Sequence, residues 1–151
     1  MISRANADRL WVGGQVILFA LLIVAALLGP HWPTRHALHI VGIALIGVGA
    51  AVMLWSGRVL GPALTPFPSP RGAHLERGPY RLVRHPMYGG VIVVVIGAGL
   101  TTSPLALAPA LASIPFLLLK ARYEESLLAE ADPSYGEYLS RVRKRFFPWL
   151  L

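Results

Sequence analysis

Two apolar runs near the start of the chain, WVGGQVILFALLIVAALLGP (11–30) and ALHIVGIALIGVGAAVMLWSG (37–57), contain no Asp, Glu, Lys or Arg. A helix of about 20 such residues crosses a hydrocarbon core of roughly 30 Å, and inside lipid only helices and closed barrels satisfy their own backbone polar groups. These runs therefore predict membrane-spanning helices. A cleavable leader would have a shorter apolar segment and a small-residue cleavage site; the following GPHWPTRH makes a poor one, so the first run is read as a retained helix. Glycine and alanine in the second run suit close helix–helix approach in lipid. Two shorter apolar runs, about 87–102 and 105–119, are joined by TTSP. The expectation is an all-α polytopic membrane protein with about four transmembrane helices, forming one domain over residues 1–151.

Composition agrees, with 55% hydrophobic and 14% charged residues against about 25% charged in soluble domains. With no cysteine, disulfides, thiolate catalysis and cysteine-ligated zinc are excluded. The net charge of +7 reads as the positive-inside rule rather than as nucleic-acid binding. The second loop carries Arg58, Arg71, Arg77, Arg81 and Arg84 against Glu76, the first loop has Arg35 alone, and the third has no charge. This distribution places both termini and the second loop in the cytoplasm, in a bacterial-type cytoplasmic membrane, with 120–151 as a C-terminal cytoplasmic segment.

Polar chemistry is confined to residues 58–90 and 120–151, both on that face. The second loop, GRVLGPALTPFPSPRGAHLER, has too many prolines for a continuous helix, and its Val59, Leu60, Leu64 and Phe67 predict that it folds back onto the helices or the interface. Past the fourth span, Pro133 is placed to start a C-terminal interfacial helix. Tyr135, Tyr138, Leu139 and Val142 recur at helical spacing as an apolar stripe. The basic, aromatic tail RVRKRFFPWLL reads as an anchor to membrane lipids.

The stretch GPYRLVRHPMYGG (78–90) is the densest in functional groups. Pro79 and Pro86 interrupt helical bonding, and Gly78, Gly89 and Gly90 allow close backbone approach. Arg81 and Arg84 offer fixed donors, His85 donates or accepts near neutral pH, and Tyr80 and Tyr88 add flat surfaces and hydroxyls. With Glu124 and Glu125 on the same face, the set suits a small zwitterionic, aromatic ligand. Snorkelling arginines, interfacial tyrosines and a local pairing of Arg122 with Glu124 or Glu125 are the structural alternative.

GPYRLVRHPMYGG, followed by RYEESLL, YGEYLSRV and Pro148 in that order, resembles the isoprenylcysteine carboxyl methyltransferases and the related phospholipid methyltransferases over residues 56–148. The resemblance implies an integral membrane enzyme that uses S-adenosylmethionine, releases S-adenosylhomocysteine, and takes a lipophilic small-molecule or lipid acceptor from the bilayer. By position it assigns Pro79, Tyr80, Val83, Arg84, His85 and Tyr88, with Glu124 or Glu125, to the cofactor. It assigns Arg122 to orienting that glutamate and Arg58 to the reacting group of the acceptor. The second loop lacks the pattern expected around a prenylated-cysteine site, so the acceptor stays open among carboxylate, amine and thiol. The rival reading is a non-catalytic four-helix membrane scaffold or a small transporter, although the spans carry almost no midplane polar residues. Histidine placement is poor for haem, no G-x-S-x-G elbow is present, and no familiar metal-ligand spacing occurs.

Overall fold

The computed structural model describes residues 3–33, 36–70 and 74–148. Among them the secondary structure is entirely helical. Helices α1 (Arg4–Leu28), α2 (His36–Leu60), α3 (Pro86–Thr102) and α4 (Leu107–Ala131) form the body, and α5 (Tyr135–Arg141) lies beyond them. Short 3₁₀ turns occur at Gly61–Ala63, Gly78–Arg81 and Pro104–Ala106.

Three segments are long and apolar enough to cross a membrane, namely Arg4–Leu28, His36–Ala63 and Pro104–Ala131. The third expected span, about 87–102, is the 17-residue α3, about 26 Å at 1.5 Å per residue. It is short, yet it is the most enclosed of the four, with Gly89, Gly90, Val91, Ile92, Val95, Gly97 and Gly99 all buried. By contrast Leu27 and Leu28 of α1 and Ile40 of α2 are among the most exposed apolar side chains, as expected of surfaces facing lipid rather than water.

A glycine seam joins α2 to α3. A Cβ on Gly42 would lie 2.7 Å from the Gly97 carbonyl oxygen, and one on Gly49 2.7 Å from that of Gly90. The crossed pairing, early α2 to late α3, makes the two helices antiparallel, with backbones in direct contact. Small residues achieve this in lipid, where dispersion and close approach replace hydrophobic drive. Helix α1 packs on α4 and more lightly on α3, and Trp11 meets Phe116 and Tyr123 of α4. Between α1 and α2 there is no extended contact.

The helices overrun the expected spans. α1 starts at Arg4, α2 ends at Leu60, and α4 continues to Ala131, so the first part of the expected cytoplasmic segment is the end of α4. Helix hydrogen bonding does not stop where hydropathy does, and KARYEESLLAEA is rich in strong helix formers. The stop comes at Asp132, whose backbone is extended as the residue before a proline prefers. The stripe of α5 is realised, since Tyr135, Tyr138 and Val142 form a buried cluster with Leu128 and Leu139 beside it. The second loop also folds back as expected, with Pro68 fully buried and the Pro66 carbonyl accepting from Lys120 Nζ at 2.9 Å. Arg71 lies outside the described residues.

Candidate active site

The turn before α3 is specified locally. Gly78 has φ +53°, a conformation in which a side chain is strained. Pro79 and Pro86 occupy first-turn positions of the 3₁₀ turn and of α3, where a missing N–H costs nothing. Between them the chain turns through Leu82–His85, which leaves the backbone N–H groups of Arg84 and His85 without helical partners. The tail supplies those partners. Arg84 N donates to Lys144 O at 2.9 Å and His85 N to Arg145 O at 2.7 Å, while Arg84 Nη2 reaches Arg143 O at 2.9 Å. Phe146, 3% exposed, joins the core made by α3 and α4. A Cβ on Gly89 would lie 2.6 Å from the Phe146 carbonyl oxygen, so Gly89 is where the tail crosses α3.

The tail expected to anchor in lipid is thus a strap across the RHP turn. Residues 143–146 are held by backbone donors that the turn leaves unpaired, and unpaired buried N–H groups are costly. Trp149, Leu150 and Leu151, the end of that expected anchor, lie outside the described residues.

Beneath the strap lies an ion cluster. Glu125, 8% exposed, accepts from Arg145 Nη2 at 2.9 Å and Arg145 Nε at 3.1 Å. It also lies 3.1 Å from Arg84 Nη1 and 3.2 Å from His85 Nε2. The expectation that Arg122 orients this glutamate is corrected by the structure: Arg122 is exposed and has no hydrogen bond or ion pair among the described residues, while Arg84 and Arg145 hold Glu125. One turn before Glu125 on α4, Arg122 is exposed where Glu125 is buried. Arg145 was missed because a tail rich in bases and aromatics looks like a lipid anchor; a lone buried acid needing countercharge was the available signal.

Glu124 is differently placed. Its carboxylate accepts from the Tyr88 hydroxyl at 2.9 Å and lies 3.8 Å from His85 Nδ1. The His85 and Tyr88 rings stack with 4° between their planes. A polar chamber of about 130 Å³ is lined by Tyr80, Arg84, His85, Tyr88 and Glu124, by Tyr135 and Tyr138, and by the loop Leu64–Pro70. Glu125 is not part of that wall, and neither are Pro79 and Val83, which are buried behind it. Arg58 is exposed at the end of α2 and lines neither this chamber nor the one described next.

Burial, with Glu124 beside it, pushes the Tyr80 phenol above its usual range, so it stays a neutral donor. His74 closes the far side. Its Nδ1 is 2.7 Å from Asp132 Oδ2 and its Nε2 3.0 Å from Glu76 Oε1. Burial disfavours the His74 cation, but these bonds to Glu76 and Asp132 outweigh it and raise its pKa.

A second, apolar chamber of about 520 Å³ lies between the helices, lined by Phe19, Leu22, Met53, Val91, Val94 and Val95 with Gln15 and Lys120. Leu64, Thr65, Met87 and Tyr88 line both chambers. The apolar chamber is walled by α1, by Met53 of α2, by the second loop, by α3 and by Lys120 of α4.

A family model described as phospholipid methyltransferase matches residues 37–136. The Cobalt-zinc-cadmium resistance protein CzcN of Cupriavidus metallidurans is 33% identical over 99% of this chain and 70% of its own length. The Nickel-cobalt-cadmium resistance protein NccN of Alcaligenes xylosoxydans xylosoxydans is 37% identical over 48% of this chain and 35% of its own length. The chain belongs to the phospholipid methyltransferase family, the group of membrane methyltransferases that includes the isoprenylcysteine carboxyl methyltransferase type.

Proposed function

We propose that this family member transfers a methyl group from S-adenosylmethionine to a lipophilic acceptor at the cytoplasmic face of the membrane, with α3 as a fourth crossing. The observation that carries this reading is the pair of chambers sharing the wall Leu64, Thr65, Met87 and Tyr88. One brings Arg84, His85, Glu124 and four tyrosines together. The other is walled mostly by apolar side chains of α1 and α3. A water-soluble donor and an insoluble acceptor need such a meeting point, and most of the rate gain in methyl transfer comes from alignment and exclusion of water.

The donor set of the polar chamber fits the cofactor. Glu124 supplies a carboxylate for an ammonium, and Arg84, also in the wall, has a buried Nε with no hydrogen-bond partner among the described residues. Tyr80, Tyr135 and Tyr138 supply aromatic faces. When bound, S-adenosylmethionine supplies an activated methyl group, so the chain need only position and enclose. Glu125 acts one layer out: it fixes Arg84 and His85 and ties the strap down. The chamber's 130 Å³ is below the roughly 300–1,000 Å³ of small-ligand pockets, so loading requires the loop 64–70 to withdraw.

That small volume is also what favours the rival scaffold reading, which differs in one outcome: a folded scaffold binds no cofactor. The names of the relatives speak of metal resistance. Among the described residues no group of three His, Cys, Asp or Glu is placed to hold a metal ion, and the metal part of those names stays with those proteins. Calorimetric titration of detergent-purified protein with S-adenosylmethionine and S-adenosylhomocysteine tests the proposal. Micromolar binding supports it; no binding by folded protein refutes it.

A further inference from the structure

The second loop is held by few polar bonds. Pro68 is buried, but among the described residues 65–70 make a single hydrogen bond to the rest of the chain, from Lys120 Nζ to Pro66 O. Firm polar fixing comes just past Pro70, at His74. Its backbone N–H donates to Asp132 Oδ2 at 3.3 Å, its Nδ1 lies 2.7 Å from the same oxygen, and its Nε2 lies 3.0 Å from Glu76 Oε1. The ring packs on Tyr138 and Tyr135 of α5, at 4.9 Å and 5.5 Å between centroids. Glu76 in turn accepts from Arg141 at the end of α5. One imidazole thus ties the loop to the end of α4 and, through Glu76, to α5.

That tie requires a proton. An ionised carboxylate only accepts, and a neutral imidazole has one N–H. Both ring nitrogens of His74 face carboxylate oxygens, so both bonds form only with the imidazolium. Deprotonation turns a ring lone pair toward Glu76 or Asp132, and the two acids lose the charge between them. No other ionised group faces the ring: Arg141 stands behind Glu76, and burial raises the Tyr135 and Tyr138 phenols, which stay neutral. Tyr80, Arg84, His85 and Glu124 line other parts of the same chamber wall.

We propose that His74 is a pH-operated latch on the second loop, closing the polar chamber when protonated and releasing residues 64–70 when neutral. The latch deepens the methyltransferase reading and rests on it only for what the chamber admits, S-adenosylmethionine. Two placements support it. His74 lines the chamber together with Leu64, Thr65, Phe67, Ser69 and Pro70, so latch and lid are parts of one wall. The chamber's 130 Å³ is below the roughly 300 Å³ of the smallest ligand pockets, so the latched form is the closed one. Linkage gives the sign. Burial lowers the pKa of His74, but its bonds to Glu76 and Asp132 raise it more, to above 6.5. Closure is therefore strongest below about pH 6.5 and weakens as pH rises through the latched value, by up to about tenfold per pH unit. Glu76, lowered by its bond to His74, and Asp132, lowered by Ser134 and then His74, stay ionised across that range.

The test uses the full chain in nanodiscs, with spin labels on Ser69→Cys and Ala129→Cys; the chain has no cysteine of its own. Pulsed electron resonance should give one short distance at pH 5.5 and a growing longer population toward pH 9. His74→Gln should make the distribution independent of pH, while His85, the other histidine of the wall, remains. Identical wild-type distributions at both pH values overturn the latch. A shift that persists in His74→Gln assigns the switch to another group and overturns it too. If His74→Gln does not fold, the wild-type series alone decides. Stopped-flow binding of S-adenosylmethionine to the unlabelled protein separates the two ideas. Association should speed up at least tenfold from pH 5.5 to 9 in the wild type and stay level in His74→Gln. Cofactor binding at a rate indifferent to pH overturns the gating role. A pH-dependent distance without any cofactor binding sinks the methyltransferase reading and leaves the latch standing.

Discussion

Two neighbouring glutamates of α4 should fail in different ways when neutralised. Glu125 is enclosed by Arg145, Arg84 and His85 at 2.9–3.2 Å, and Glu125→Gln leaves those cations without a countercharge. Breaking a buried ion pair costs about 3–5 kcal/mol. Glutamine keeps the shape and one acceptor, so the lower end, about 3 kcal/mol, is expected. At roughly 2–4 °C per kcal/mol for a chain of this size, the midpoint of thermal unfolding in detergent should fall by about 6–12 °C. Tail residues 143–146 should become protease-sensitive at the same time, because Arg145 is their only side-chain tie to Glu125. Glu124→Gln removes a charge but keeps an oxygen that can accept from Tyr88, and the side chain faces the chamber. Its unfolding midpoint should move by less than about 3 °C, while S-adenosylmethionine affinity falls at least tenfold, about 1.4 kcal/mol. A wild-type midpoint in Glu125→Gln, or an equal loss of stability in both variants, would refute this division of labour.

Other consequences are as direct. Phe146→Ala opens the α3–α4 core under the strap and should cost about 3–5 kcal/mol, read as a lowered unfolding midpoint. Gly97→Leu places a side chain where even a Cβ would lie 2.6 Å from the Gly42 carbonyl oxygen, so it should part α2 from α3 and abolish the monodisperse peak in size-exclusion chromatography; Gly47→Leu, with nothing within 4 Å, should not. The His74 cluster sets a pH window. His74 is raised above 6.5, so its contribution is full below about pH 6.5 and is lost as pH rises through the folded value. Glu76, lowered by its bond to His74, and Asp132, lowered by Ser134 and then His74, contribute above about pH 4.5 and lose that as pH falls. Thermal midpoints should therefore peak between about pH 4.5 and 6.5, and His74→Gln should flatten the profile. Hydrogen exchange of residues 64–70 should change when S-adenosylmethionine is added, since that loop must yield; identical exchange with and without cofactor would count against the loading route.

What the sequence disclosed and what it concealed follow a physical line. Features set by local rules were legible: apolar runs as helices, a helix just after Pro133 (it starts at Tyr135), the stripe of α5, and the dense turn at 78–90. Tyr80, Arg84, His85, Tyr88 and Glu124 do converge on one chamber, because the turn is short and α4 brings its glutamates back to the same end. Features set by long-range countercharge were not legible. Arg122 is three residues from Glu125 yet exposed, while Arg145 is 20 residues away and bonded to it. Neighbourhood in sequence favoured the wrong arginine, because positions i and i+3 share a face only in part and a backbone strap can deliver a cation from any distance.

Lys120 was concealed for the opposite reason. It stands at the end of an apolar run, where a lysine ordinarily snorkels to the interface, and hydropathy alone made it the start of the cytoplasmic segment. Here the loop folds over it and Gln15 of α1 meets it from the other side, so the residue that seemed to mark the membrane boundary is one of the most buried in the chain. A snorkelling lysine needs water or phosphate within reach. A lysine roofed by a proline-rich loop has neither, and its ammonium bonds to Gln15 and the Pro66 carbonyl instead. That loop was expected to pack back onto the helices or the interface; by covering Lys120 it buries a boundary charge, and two of its residues, Leu64 and Thr65, line both chambers.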